Sequence, residues 1–124
     1  MPHMSESKEN YIKAIHELSC QHGSACITDI ATRLGVTKAS ASRAVSLLAE
    51  LGLVRRDGSR HVVLTEAGKR QAGEVEGRFK TVREFWMRVL RASPDAAALE
   101  ACRLEHVLSD ASLYAMRQTL DGGL

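Results

Sequence analysis

The feature that most constrains this chain is the interval between two short apolar repeats in its first half. Ile27, Ile30, Ala31 and Leu34 fall at i, i+3, i+4 and i+7, one face of a two-turn helix that Gly35 can end in the left-handed C′ position. Thr37 is an N-cap for a further helix with inward positions Ala41, Ala44, Val45 and Leu48, and with Leu51 before the terminating Gly52. Only Gly35, Val36 and Thr37 separate the two periodic runs. A turn that short makes two amphipathic helices cross steeply, as in a helix-turn-helix unit, and leaves the second projecting outward. Its outward face is Lys38, Ala39, Ser40, Ser42 and Arg43. Small and hydroxylated side chains with two cations suit a solvated helix face, and equally a helix that enters the major groove of DNA.

The next segment decides between these. Leu53 to Arg56 and Arg60 to Leu64 are short β-type runs joined through Asp57-Gly58-Ser59, and Asp-Gly is a strong hairpin signal. A hairpin directly after a helix-turn-helix is a wing. Arg55, Arg56, Arg60 and His61 cluster at or near its tip, where cations position a protein on the sugar-phosphate backbone rather than read bases. The sequence thus predicts a double-stranded DNA partner, with Thr37, Ala39, Ser40, Ser42 and Arg43 at the groove and Lys38, Arg55, Arg56 and Arg60 on phosphates. The charge agrees: residues 1–70 carry ten Lys or Arg against seven acids, residues 71–124 seven against eight.

Flanking segments are helical by period. Ser5 or Ser7 caps a helix over about 6–21 carrying Tyr11, Ile12, Ile15 and Leu18. Thr65 caps a long helix reaching about Leu90, in which Ala72, Val75, Phe79, Val82, Trp86 and Val89 form an apolar seam that requires other helices, of this chain or a second copy, to pack on it. Ser93-Pro94 opens a helix with Ala97, Ala101, Leu104 and Leu108, and Ser109 a last one with Leu113, Met116 and Leu120, stopped by Asp121-Gly122-Gly123. Aromatics are 4% of the chain, so the core is built from Leu, Ile, Val and Ala, which suits helices better than a β-sandwich. The expected fold is mainly α: a winged helix-turn-helix over 1–70, then a helical dimerisation region over 71–124.

At 124 residues a large enzyme scaffold is excluded. No apolar run is long enough for a membrane span or a signal h-region, and MPHMSESKEN is polar at once, so a cytoplasmic location and no membrane partner are expected. Cys20, Cys26 and Cys102 lack metal-ribbon spacing and are expected as reduced thiols, with a Cys20–Cys26 redox pair as the alternative. A metal-dependent hydrolase with Glu105 as base is rejected: there is no H-E-x-x-H, no G-x-S-x-G and no phosphate-cradling glycine loop.

Four stretches are familiar together: Ser7-Lys-Glu-Asn-Tyr-Ile-Lys-Ala-Ile-His-Glu-Leu18, Ile30-Ala-Thr-Arg-Leu-Gly-Val-Thr-Lys-Ala-Ser-Ala-Ser-Arg-Ala-Val45, Leu64-Thr-Glu-Ala-Gly68, and Glu100-Ala-Cys-Arg-Leu-Glu-His-Val-Leu-Ser-Asp110. The chain resembles the diphtheria toxin repressor family of iron- and manganese-dependent regulators over nearly its whole length. That resemblance implies a homodimeric repressor that binds a palindromic operator when Fe²⁺ or Mn²⁺ is bound, here without the SH3-like third domain of longer members. It carries the metal site onto Asn10, Cys102, Glu105 and His106, with the ion linking the first helix to the fifth. Cys102, Glu105 and His106, at i, i+3 and i+4, would also share one face of a helix and offer a thiolate, a carboxylate and an imidazole.

The chain departs from the family at several ligand positions. Asn10 stands where iron-type members have Met and manganese-type members Asp, and Lys13 where the latter have Glu. Phe79 replaces a ligand His and Arg83 a ligand Glu. The ancillary site is therefore expected to be missing, leaving one divalent ion per protomer, with Lys13 and Arg83 as fixed positive charge. The same departures support the alternative of a metal-independent regulator, or one responding to thiol oxidation at Cys102 or to another ligand. His16, His22 and His61 read as surface or partly packed residues.

Overall fold

A computed structural model of the chain describes residues 5–122 except residue 59. Ser59 of the predicted hairpin turn and Gly123 of the predicted final stop lie outside the described residues. The element order is α1 (Glu6–His22), β1 (Ala25–Cys26), α2 (Ile27–Leu34), α3 (Lys38–Glu50), β2 (Val54–Asp57), β3 (His61–Leu64), α4 (Glu66–Arg88), α5 (Pro94–Leu104) and α6 (Asp110–Asp121). They fall into two compact units, the first ending at Gly73 and the second beginning at Glu74.

In the first unit the cap residues act as their chemistry requires. Ser5 Oγ accepts from the Lys8 amide at 3.3 Å, and Gly23 ends α1 at φ 86°. Gly35 ends α2 at φ 68°, and Thr37 Oγ1 accepts from the Ser40 amide at 3.0 Å to start α3. The strands form an antiparallel sheet in the order β1-β3-β2, with Ala25 opposite Val62 and Val54 opposite Leu64. Strand β1 has no counterpart among the elements expected from sequence: two residues carry no periodic signal, and pairing with β3 alone makes them a strand. Ile12, Ile15, Ile30, Ala41, Val45, Leu48 and Val62 form the centre of a core that also takes in Ala72. The start of α4 locks onto the loop before β2. Thr65 Oγ1 donates to the Gly52 carbonyl at 2.6 Å and accepts from the Gly68 amide at 3.1 Å, and Gly68 itself runs so close to Leu53 that a Cβ there would collide with the Leu53 carbonyl oxygen.

In the second unit Val75, Val82, Ala97, Ala101 and Leu120 are buried. Ser93 and Ser109 cap α5 and α6, with Pro94 at the first turn of α5. Arg117 joins α6 to α4 by donating to Thr81 Oγ1 at 2.9 Å and to Glu84 at 3.4 Å. Along the predicted seam Ala72, Val75 and Val82 are buried, while Phe79, Trp86 and Val89 are half-buried, and α4 ends at Arg88 rather than Leu90.

Candidate metal centre and nucleic-acid interface

Helix α3 presents Lys38, Ala39 and Arg43 exposed, with Ser40 and Ser42 half-buried beside them. Thr37 is fixed by its cap and also donates to Ser40 Oγ at 3.0 Å, and Arg43 leans on Ser40 Oγ at 3.4 Å. The hairpin places Arg56 against this helix: its Nη2 donates to the Ser42 carbonyl at 3.1 Å, to Ser42 Oγ at 3.3 Å and to Ser46 Oγ at 3.0 Å. Lys38, Ala39, Ser42, Arg56 and Arg60 thereby line one groove of about 470 Å³, completed by Cys26, Ile27 and Thr28 at the start of α2. Three cations converge there with hydroxyls and one Cβ-only side chain, a surface matched to a phosphate chain beside an inserted helix.

Arg55 lies elsewhere. Successive strand residues point to opposite faces, so Arg55 turns away from Arg56 and lines a separate groove with His16, Cys20 and Lys69. Within that groove Cys20 Sγ lies 3.8 Å from His16 Nε2. Cys20 and Cys26 therefore open onto different grooves, and both are free thiols. His61 Nδ1 lies 3.0 Å from Ser24 Oγ, which anchors β3 to the segment before β1. Cys26, Thr28 and Ser46 are additions to the interface residues expected from sequence. Ser46 was legible, because it sits four residues after Ser42 and so shares its helix face; Cys26 and Thr28 reach the groove only through the β1–β3 pairing.

The candidate metal ligands of the second unit lie at the C-terminal end of α5. Helix α5 stops at Leu104; Glu105, its C-cap, keeps right-handed helical backbone angles and donates its amide to the Ala101 carbonyl at 3.0 Å, and His106 lies in the turn that follows. Cys102 is exposed on the last turn. Glu105 and His106, in contrast, form a buried pair: Oε1 lies 3.2 Å from Nε2, with side chains 1% and 3% exposed. Oε2 of Glu105 is likewise buried, and among the described residues it accepts no hydrogen bond. Arg78 of α4 donates from Nε to the Glu105 carbonyl at 3.0 Å. Burial pulls the Arg78 guanidinium below its ordinary pKa, and the carboxylates of Glu105 and Asp110 oppose that shift. Asn10 is half-buried on α1 in the first unit, in a groove with Tyr11, Leu34 and Val36. Among the described residues no three His, Cys, Asp or Glu side chains gather into a group that could hold an ion.

Phe79 and Arg83, which the resemblance sets at the positions of an ancillary metal site in relatives, form a stacked pair, with the guanidinium carbon 5.7 Å from the ring centroid. An apolar ring and a cation, one turn apart on α4, offer a metal ion neither lone pair nor negative charge. Among the described residues no helix is long and apolar enough to cross a membrane.

Known proteins resemble this chain across both units. The model of the iron dependent repressor N-terminal DNA binding domain matches residues 3–62, and that of the iron dependent repressor metal binding and dimerisation domain matches residues 65–122. The transcriptional regulator MntR of Escherichia coli O157:H7 is 34% identical over 115 residues, covering 93% of this chain and 74% of that protein. The iron-dependent repressor IdeR of Mycobacterium tuberculosis is 30% identical over 110 residues, covering 89% of this chain and 48% of that protein. A solved manganese-dependent transcriptional repressor in complex with manganese superposes with a TM-score of 0.80 at 29% identity, over 92% of this chain and 52% of that one. Because the two domain models follow one another along the chain and its relatives are regulators rather than enzymes, the chain belongs to the iron-dependent repressor family of transcriptional regulators.

Proposed function

We propose that this chain forms a homodimer that binds a palindromic DNA operator and represses transcription when each protomer holds one divalent ion, iron(II) or manganese(II). The observation that carries the metal half of this reading is the buried Glu105–His106 pair. A carboxylate and an imidazole removed from solvent and set side by side are donors suited to both ions. The exposed Cys102 thiol is the third candidate donor. A bound ion would supply positive charge and fix the directions of its donors. With Phe79 and Arg83 stacked at the ancillary positions, a second ion has no place.

The DNA half rests on the groove between α3 and the wing. Lys38, Arg56 and Arg60 engage phosphates, Ala39 and Ser42 allow close approach, and Thr37, Ser40 and Arg43 face base edges. Arg55, on the opposite face of the hairpin, contacts a phosphate only where the backbone curves around the wing. The second unit leaves Leu90, Leu99, Val107 and Tyr114 exposed, apolar surface available to a second copy. Two recognition helices in such a dimer read half-sites about 34 Å apart, one helical turn.

The test is fluorescence anisotropy on DNA from upstream of the protein's own gene, at fixed salt, in chelator and with added Mn²⁺, Fe²⁺, Co²⁺ or Zn²⁺. Tight binding only with metal is expected. Equal binding in chelator would keep the DNA-binding role and remove the metal.

A further inference from the structure

We propose that Cys20 is a thiol-exchange site: with His16 beside it and Arg55 and Lys69 in the same groove, it takes up a low-molecular-weight disulfide bearing carboxylates and forms a mixed disulfide with it.

His16 and Cys20 stand four residues apart on α1 and so share one face of the helix. Cys20 is exposed, and its Sγ lies 3.8 Å from His16 Nε2. The groove onto which both open has a volume of about 430 Å³, enough for a small molecule. Three further elements complete it, with Arg55 from β2, Val63 from β3 and Lys69 from α4. Among the described residues, none that lines it is acidic. Lys69 Nζ lies 3.5 Å from Glu66 Oε1, an exposed pair that a ligand carboxylate replaces at little cost. Ser19 lines the same groove, and its Oγ is buried without a hydrogen-bond partner among the described residues. A buried hydroxyl left unmatched is an exception in folded proteins, and a polar ligand completes it. Two cations, an unmatched hydroxyl and a thiol beside a base together fit an anionic disulfide. Cys26 opens onto the groove of α3, which leaves Cys20 an external disulfide as its partner.

In the His16 tautomer that carries its proton on Nδ1, Nε2 accepts the Cys20 proton, and a thiolate is the nucleophile of disulfide exchange. The Cys20 sulfur attacks one sulfur of the bound disulfide. The new Sγ–S bond forms as the old S–S bond breaks, and the departing thiolate takes the proton from the His16 imidazolium. One disulfide is consumed and one thiol released, so the disulfide itself is the oxidant. Arg55 and Lys69 hold the carboxylates, which selects anionic disulfides over neutral and cationic ones. All of these residues belong to the first unit, so the site stands whether or not the chain binds an ion.

The experiment treats the reduced full chain, in chelator, with oxidised glutathione, which is anionic, with neutral hydroxyethyl disulfide and with cationic cystamine. Acid quenching and peptide mass spectrometry give the rate of mixed-disulfide formation at each cysteine. Cys20 is expected to react with oxidised glutathione about tenfold or more faster than Cys102, an exposed thiol of the same chain. That ratio should fall in the order oxidised glutathione, hydroxyethyl disulfide, cystamine. His16→Gln should slow Cys20 about tenfold or more with every disulfide. The double variant Arg55→Gln, Lys69→Gln should erase the charge preference and leave the rate with hydroxyethyl disulfide unchanged; if His16→Gln does not fold, this variant carries the test. Equal rates at Cys20 and Cys102, or a Cys20 rate indifferent to the charge of the disulfide, overturns the proposal.

Discussion

Gly68→Ala tests the packing that seats the wing. An alanine Cβ at this position would strike the Leu53 carbonyl oxygen, lie 3.0 Å from the Leu53 carbonyl carbon and 3.1 Å from Leu64 Cδ2. The first neighbour is backbone, at the loop that Thr65 also clamps through Gly52, so no rotamer change relieves the overlap. Overpacking of this kind costs about 1–3 kcal/mol, and a rigid backbone neighbour puts it at the upper end. Helix propensity returns about 1 kcal/mol when Gly becomes Ala, leaving a net loss of about 2 kcal/mol. In a unit of this size that lowers the melting temperature by roughly 8–16 °C. Gly73 and Gly77 lie on the same helix, where an added methyl would meet nothing within 4 Å, and they provide internal controls. Gly73→Ala and Gly77→Ala should each stabilise by about 0.5–1 kcal/mol. The assay is urea unfolding of the three variants followed by circular dichroism. If Gly68→Ala were as stable as wild type while the controls gained stability, the close approach of α4 to Leu53 would be refuted.

Other consequences follow from the same geometry. Arg43→Ala should leave unfolding unchanged and cost about 1–3 kcal/mol of operator affinity while relaxing sequence preference, measured by anisotropy on operator and scrambled DNA. Arg56→Ala should weaken all DNA sequences alike and, by releasing Ser42 and Ser46, also cost about 1 kcal/mol of stability; the reverse pattern would exchange the roles of reader and clamp. A metal titration of purified protein should saturate at one tight ion per chain, and two would contradict the stacked Phe79–Arg83 arrangement as a closed ancillary position.

Local chemistry made most of the first unit legible. The apolar periods of α1 to α3, the glycine stop at Gly35, and the Thr37 cap are decided within a few residues of themselves, and each reappears in the structure. The separation of Arg55 from Arg56 also lay in the sequence, since alternation along a strand sends neighbours to opposite faces. What was hidden depends on partners far along the chain. Strand β1 exists because β3 pairs with it. Arg56 is held by serines on α3, and Glu9 and Glu105 are buried although nothing in their flanks distinguishes them from surface carboxylates. The end of α5 at Leu104 was equally unmarked, for no Gly or Pro signals it, and His106 falls in the turn beyond it.

Metal gating is tested most directly by operator binding of wild type and Glu105→Gln, each in chelator and in saturating Mn²⁺. Glutamine keeps the size of the side chain and removes the charge that a divalent ion requires. Mn²⁺ is expected to tighten wild-type binding by a factor in the range of about 5–150, and Glu105→Gln to bind DNA equally weakly in both conditions. Wild type indifferent to Mn²⁺, or Glu105→Gln with the full metal-dependent gain, would contradict metal gating.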